Sequence, residues 1–216
     1  MSEFPKTTLN QVNRKPARGQ YDRDVIYPLL DEALICFVGF NDGEQPVVIP
    51  TLHARVGDTL YVHGAPASRM LKMIVSGAPV CVTAALVDGI VFARSVFEHS
   101  INYRSAIVFG HGRAVDSDEE KLCALEAITE QVARGRWKDA RRPTQKELDS
   151  TGVAAIEIES ASAKTRSGPP ADPEEDLALP VWAGILPLSI QAGLPLSDSK
   201  LLDGIRAPEY IAGYRR

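Results

Sequence analysis

The spacing of apolar residues changes period several times along the chain, and each change marks an element. After Tyr21, the residues Ile26, Leu29, Leu30, Ala33 and Leu34 recur at helical spacing, with Asp22 or Asp24 placed to cap and Pro28 expected in the first turn. From Ile35 the pattern becomes extended. Residues 35–40, 46–56 and 59–63 read as three meandering strands, separated by Asn41-Asp42-Gly43 and Gly57-Asp58. Residues 66–76 return to helical spacing and end at Gly77. Strands are then predicted over 80–87 and 90–97, joined by an Asp88-Gly89 hairpin turn, and over 103–115. Ser117 and Glu120 open a helix as a capping box, Thr144 and Glu147 open a shorter one, and 153–158 reads as a seventh strand.

Six or seven antiparallel strands with helices inserted between some of them predict a mainly β, α+β fold curled into a barrel. Strands do not alternate regularly with helices, which excludes a doubly wound nucleotide-binding fold. Residues 1–19 carry prolines and four basic residues with few large apolar ones, and are expected to form a flexible arm. The barrel is expected over 20–160. Residues 160–180 are rich in Ser, Pro and acid and read as a linker, after which the apolar stretch 181–188 and a wrapping tail complete residues 161–216.

Composition narrows the function. The 216 residues carry 24 Lys and Arg against 28 Asp and Glu, a net charge of -4, so no polyanion-seeking surface is expected and nucleic acid is excluded as a partner. No apolar run is long enough to span a bilayer, and the polar start has no signal segment, so a cytoplasmic protein without membrane association is expected. Cys36, Cys81 and Cys123 are an odd, scattered set that reads as buried thiols. His53, His63, His99 and His111 show no metal-ligand spacing, and no metal is expected. No nucleophile elbow, phosphate loop or metalloprotease motif occurs, so no catalytic side chain is assigned.

Two polar clusters remain. Tyr61-Val-His-Gly-Ala-Pro-Ala-Ser-Arg-Met-Leu-Lys72 ends a strand and starts a helix with Ser68 and Arg69 in its first turn, which suits an anion as well as it suits a simple cap. Glu98-His-Ser-Ile-Asn-Tyr-Arg-Ser105 packs hydroxyls and a guanidinium into the start of an apolar strand; it fits either a solvated strand end or a ligand site. With no proton-transfer pair in either, a phosphorylated cofactor that carries its own reactivity fits best.

These stretches, with SAKTRSGPP and VWAGILPL further on, make the sequence similar to the pyridoxamine 5'-phosphate oxidase-related flavoproteins, and most of all to their nitroimidazole-reductase-like branch. The resemblance runs over residues 18–190. It implies an FMN-binding split β-barrel, a homodimer with FMN at its interface, and an oxidoreductase that moves hydride through the flavin N5 to a small conjugated or nitro-type acceptor, with NAD(P)H as a possible donor. It implies that Pro50, Thr51 and His53 follow the flavin ring, and that His63, Ser68, Arg69 and Lys72 hold the ribityl chain and phosphate. Tyr103, Arg104 and Ser105 would complete the site, with Lys164 reaching a phosphate and Trp182 covering the ring from the partner subunit. A non-catalytic flavin or haem carrier on the same barrel is the alternative. The terminal substrate-phosphate grip of true pyridoxamine phosphate oxidases survives here only as Ile205-Arg-Ala-Pro-Glu-Tyr210 inside the tail, so pyridoxamine phosphate is not the expected substrate.

Overall fold

The computed structural model describes residues 3–215. In chain order they form β1 (Gly19–Gln20), α1 (Arg23–Glu32), β2 (Ile35–Asp42), β3 (Gln45–Val56), β4 (Thr59–Gly64), α2 (Arg69–Val75), β5 (Pro79–Phe92) and β6 (Ser100–Ala114). There follow α3 (Asp118–Val132), α4 (Arg136–Asp139), α5 (Gln145–Ser150), β7 (Gly152–Glu157), β8 (Ser160–Arg166), β9 (Gly184–Pro187) and α6 (Glu209–Ala212).

The sheet runs β1-β8-β6-β7-β4-β3-β2-β5-β9, and an added β6–β5 pairing closes six of these strands into an antiparallel barrel. The split lies in β6. One edge of β6 pairs with β5 from Ser100 to His111, while the other pairs first with β8 (Tyr103 to Phe109) and then with β7 (Gly112 to Ala114). At the switch the backbone of Glu157 crosses so near Gly110 that a Cβ there would lie 1.8 Å from its carbonyl oxygen, so only glycine fits. The interior is filled by alternate residues of each strand, among them Cys36, Val38, Leu60, Val62, Val82, Ala106, Val108 and Ile156, with Ile26 and Leu30 of α1 closing one side. This is the mainly β, α+β split barrel expected from the sequence.

Several local expectations change. Pro28 is the sixth residue of α1 rather than part of its first turn; it is exposed, as is Asp24, whose carbonyl loses its helical partner to water. Asp88-Gly89 makes no hairpin. It is a bulge within the single long strand β5, with a register shift between Val87 and Gly89, and the lack of a side chain at Gly89 admits the Leu186 carbonyl of β9. Residues 160–166, read as linker, are β8: Ala161 and Ala163 fill the narrow interior, a role their small size suits. The N-terminal arm is a packed strap. Phe4 is 2% exposed, the Asn10 side chain donates to the Ala161 carbonyl, and β1 pairs with β8. Of the cysteines, Cys36 is buried, and burial pushes its thiol pKa up to about 12, but Cys81 is half-buried and Cys123 exposed.

Besides the pairing of β9 with β5, side chains clip the tail to the rest of the fold. Asp172 accepts from both the backbone N–H and the guanidinium of Arg94, at 2.8 and 2.9 Å. Further on, the Tyr214 hydroxyl donates to the Val132 carbonyl at the end of α3. No helix among the described residues is long and apolar enough to cross a membrane.

Candidate functional site

The sequence-selected residues fall into three places. The first is the end of β4 and the start of α2. Ser68 caps α2 by accepting from the Leu71 N–H, and the first turn contains Arg69 and no acidic residue. Arg69 is largely exposed and pairs loosely with Asp42 at 3.7 Å; Lys72 follows one turn on and is exposed. His63, half-buried on β4, has a buried Nδ1 without a hydrogen-bond partner, and burial lowers its pKa. A neutral imidazole with an open ring nitrogen, a hydroxyl and the Arg69 guanidinium are therefore found where β4 gives way to the positive end of a short helix, with Lys72 in that helix's last turn.

The second place is the outer edge of β6 and β8. Tyr103 and Lys164 line one cleft of about 560 Å³, and the Ser105 hydroxyl donates to the Lys164 carbonyl. Residues that the sequence reading missed line it as well: Arg14, Lys15 and Arg18 of the strap, His99 and Ser100, and Arg166. Their signal was the basic run of residues 14–18, which could be connected to Lys164 only through the pairing of β1 with β8. Trp182, 68% exposed, packs on Phe92, whose ring in turn meets His99 edge-on at 5.9 Å.

The third set is not in either place. Arg104 neighbours Tyr103 and Ser105 in sequence, but alternation turns it to the opposite face of β6, where it donates to Glu32 and Asp88. Both carboxylates raise its pKa, Glu32 most. Arg69 is held at the Asp42 end of β2 and Arg104 by Glu32 beyond the Ile35 end, an eight-residue strand of about 23 Å lying between. The two arginines thus do not converge within one chain, contrary to the expectation of a shared grip. His53 is fully buried, its Nε2 2.9 Å from the Leu30 carbonyl. Thr51 pairs with the buried Cys36 and shares its inward face, so of Pro50, Thr51 and His53 only Pro50 looks outward.

Pro50 belongs to a continuous apolar outer face. Register sets Ile35 beside Leu52, Phe37 beside Pro50 and Thr83, Gly39 beside Val48 and Cys81, and Thr83 beside Ile107. Ile35, Phe37, Val48 and Ile107 are all exposed. A flat four-stranded patch of this kind marks an interaction surface in a globular protein.

Comparison with known proteins accounts for this arrangement. The sequence profile of the pyridoxamine 5'-phosphate oxidase family matches residues 22–165. Among solved structures, the flavocytochrome Anf3 from Azotobacter vinelandii is 33% identical, each chain covering 97% of the other, with a TM-score of 0.90. The FAD and heme binding protein from Mycobacterium smegmatis is 36% identical over 91% of this chain and 96% of that one, with a TM-score of 0.86. A structure described as a 5-nitroimidazole antibiotic resistance protein from Bacteroides thetaiotaomicron is 26% identical over 68% of this chain and 85% of that one, with a TM-score of 0.58. No curated protein matches the chain. The profile match spans two thirds of the sequence and the barrel it describes is the one observed: the chain belongs to the pyridoxamine 5'-phosphate oxidase family, with the flavin-binding fold of that family.

Proposed function

We propose that this protein is a flavin-dependent oxidoreductase whose cofactor site is completed by a second copy of the chain. The observation that carries the reading is the end-to-end likeness to two proteins named for flavin and haem, at 33% and 36% identity over more than nine-tenths of the chain. The residues present fit a flavin phosphate. Ser68, Arg69 and Lys72 supply a hydroxyl and two cations with no acidic residue in the first turn, and Arg69 has only a long, exposed contact to give up. The apolar outer face gives the reason for a second copy, since Pro50, Phe37 and Val48 lose water only if something covers them.

FAD is favoured over FMN because the 36% identical relative is named for FAD. A bound flavin supplies hydride and single-electron chemistry that no side chain of this protein offers. The chain's own part is to bind, orient and exclude water: Arg69 and Lys72 hold the phosphate and the apolar face keeps solvent from the ring. NAD(P)H as donor and a small conjugated or nitro compound as acceptor complete the reading. Haem is a second ligand of the same proposal, because both full-length relatives are named for it. His63 suits that role through its neutral ring and unpartnered Nδ1, the form of imidazole that can bind iron.

The test is flavin titration of the purified protein followed by quenching of flavin fluorescence. Arg69→Gln combined with Lys72→Gln is expected to weaken FAD at least tenfold, the loss of charge-assisted contacts. Unchanged affinity in a folded double variant would remove the phosphate from this end of the barrel.

A further inference from the structure

We propose that the cleft between the N-terminal strap, β6 and β8 binds the phosphates of a dinucleotide. A protein with net charge -4 gathers Arg14, Lys15, Arg18, Lys164 and Arg166 around one hollow of about 560 Å³. Among the described residues none of the five forms an ion pair, whereas seven other arginines and His111 do, and Glu98 is the acid in the lining. Five cations held around one hollow with a single carboxylate beside them repel one another, and that cost is relieved by an anion.

Arg166 makes the case specific. It is only 9% exposed, and its guanidinium donates to neutral acceptors alone: the Asn102 side chain and the carbonyls of Gly168 and Pro169. A buried guanidinium held in place by carbonyls and left with its full charge is arranged to meet a negative group from outside. The strap is fixed as well. Lys15 has a positive φ, at 53°, and its carbonyl accepts from the Arg18 N–H across a short turn, with both residues lining the cleft. Ser100 and Tyr103 add hydroxyls to the wall. Phe97 also lines the cleft and is 91% exposed, a ring left in water beside a cationic hollow, as a stacking platform for a base would be. Phosphates between guanidiniums with an aromatic base alongside describe a dinucleotide of either source, the flavin's own adenylate or a nicotinamide electron donor. That identification of the ligand rests on the redox reading above; the demand for an anion does not.

The experiment uses the full chain, with Arg18→Gln, Lys164→Gln and Phe97→Ala, and Lys138→Gln on α4 as a control outside the cleft. Three quantities are measured for each: FAD retained after dialysis, NADPH affinity by titration, and inorganic pyrophosphate affinity by calorimetry. Arg18→Gln and Lys164→Gln are each expected to weaken pyrophosphate and one dinucleotide about tenfold. Phe97→Ala should weaken the dinucleotide but spare pyrophosphate, and Lys138→Gln should change nothing. Loss of FAD retention identifies the flavin's phosphates as the occupant and moves them from Arg69 and Lys72 to this cleft; loss of NADPH affinity with FAD intact identifies the donor. If the wild type takes no flavin but binds pyrophosphate through Arg18 and Lys164, the redox reading fails and the anion site stands. If pyrophosphate and both dinucleotides bind the folded variants as they bind the wild type, the cleft is not a phosphate site.

Discussion

Arg104 holds Glu32 in a two-pronged grip, Nη1 to one carboxylate oxygen at 2.5 Å and Nη2 to the other at 2.9 Å, across the gap between β6 and the end of α1. Its Nε and Nη2 also reach Asp88 at the bulge of β5. The residue therefore ties the first helix to the barrel. Replacing Arg104 by Gln strands two carboxylates side by side and is expected to cost about 1 kcal/mol for this partly exposed network. In a domain of this size that lowers the thermal midpoint by roughly 2–4 °C. Flavin affinity should not move, and scanning calorimetry with a flavin titration checks both halves.

His63 gives a pH dependence. Burial lowers its folded pKa from 6.5, so between that lowered value and 6.5 the unfolded chain binds more protons than the folded one. Its contribution to stability is therefore complete above pH 6.5 and falls as the pH drops through that window. His63→Gln should flatten this part of the curve of melting temperature against pH between 5 and 7. Identical slopes in variant and wild type would show that the imidazole is not desolvated.

Asp172 is the clip for the tail. Its carboxylate is 2% exposed, and although burial opposes ionisation, the bonds from Arg94 outweigh it and hold the carboxyl below the usual carboxylate range. Asp172→Ala removes both bonds and is expected to release residues 167–183 to limited proteolysis several-fold faster, with the barrel fragment surviving intact. Equal cleavage rates would place the anchoring of the tail elsewhere, at β9 or Tyr214.

The outer face predicts the assembly. A dimer of 47 kDa, twice the 23.5 kDa chain, is expected by light scattering. Phe37→Glu puts a charge in the middle of the exposed strip and should give a folded monomer with weakened flavin binding. A monomeric wild type would leave the cofactor site to a single chain.

The strands that the sequence revealed most clearly were those with one buried face and a turn that matched its chemistry. Val38 and Phe40 alternate with exposed neighbours, and β2, β3 and β4 were accordingly legible together with their turns. Asp88-Gly89 carried an equally strong turn signal and misled, because the same dipeptide also serves a bulge where another strand presses close. β8 was hidden for a different reason: its interior positions are alanines, and a strand in a narrow place looks like a polar linker when only apolar bulk is weighed.

For the site, the group at α2 was legible because Ser68, Arg69 and Lys72 are neighbours on one short helix. The joint action of Arg69 and Arg104 was not real within one chain, since a period of two sends Arg104 away from Tyr103 and Ser105. The strap's basic residues needed the β1–β8 register before they could be placed beside Lys164.

Whether this barrel holds a flavin is read from the visible spectrum of the 216-residue protein, taken as purified and again after incubation with FAD and desalting. A yellow protein is expected, whose flavin bands bleach with dithionite and return in air, at one flavin per chain. A protein that stays colourless after incubation with both FAD and FMN, while folded and homogeneous, contradicts it.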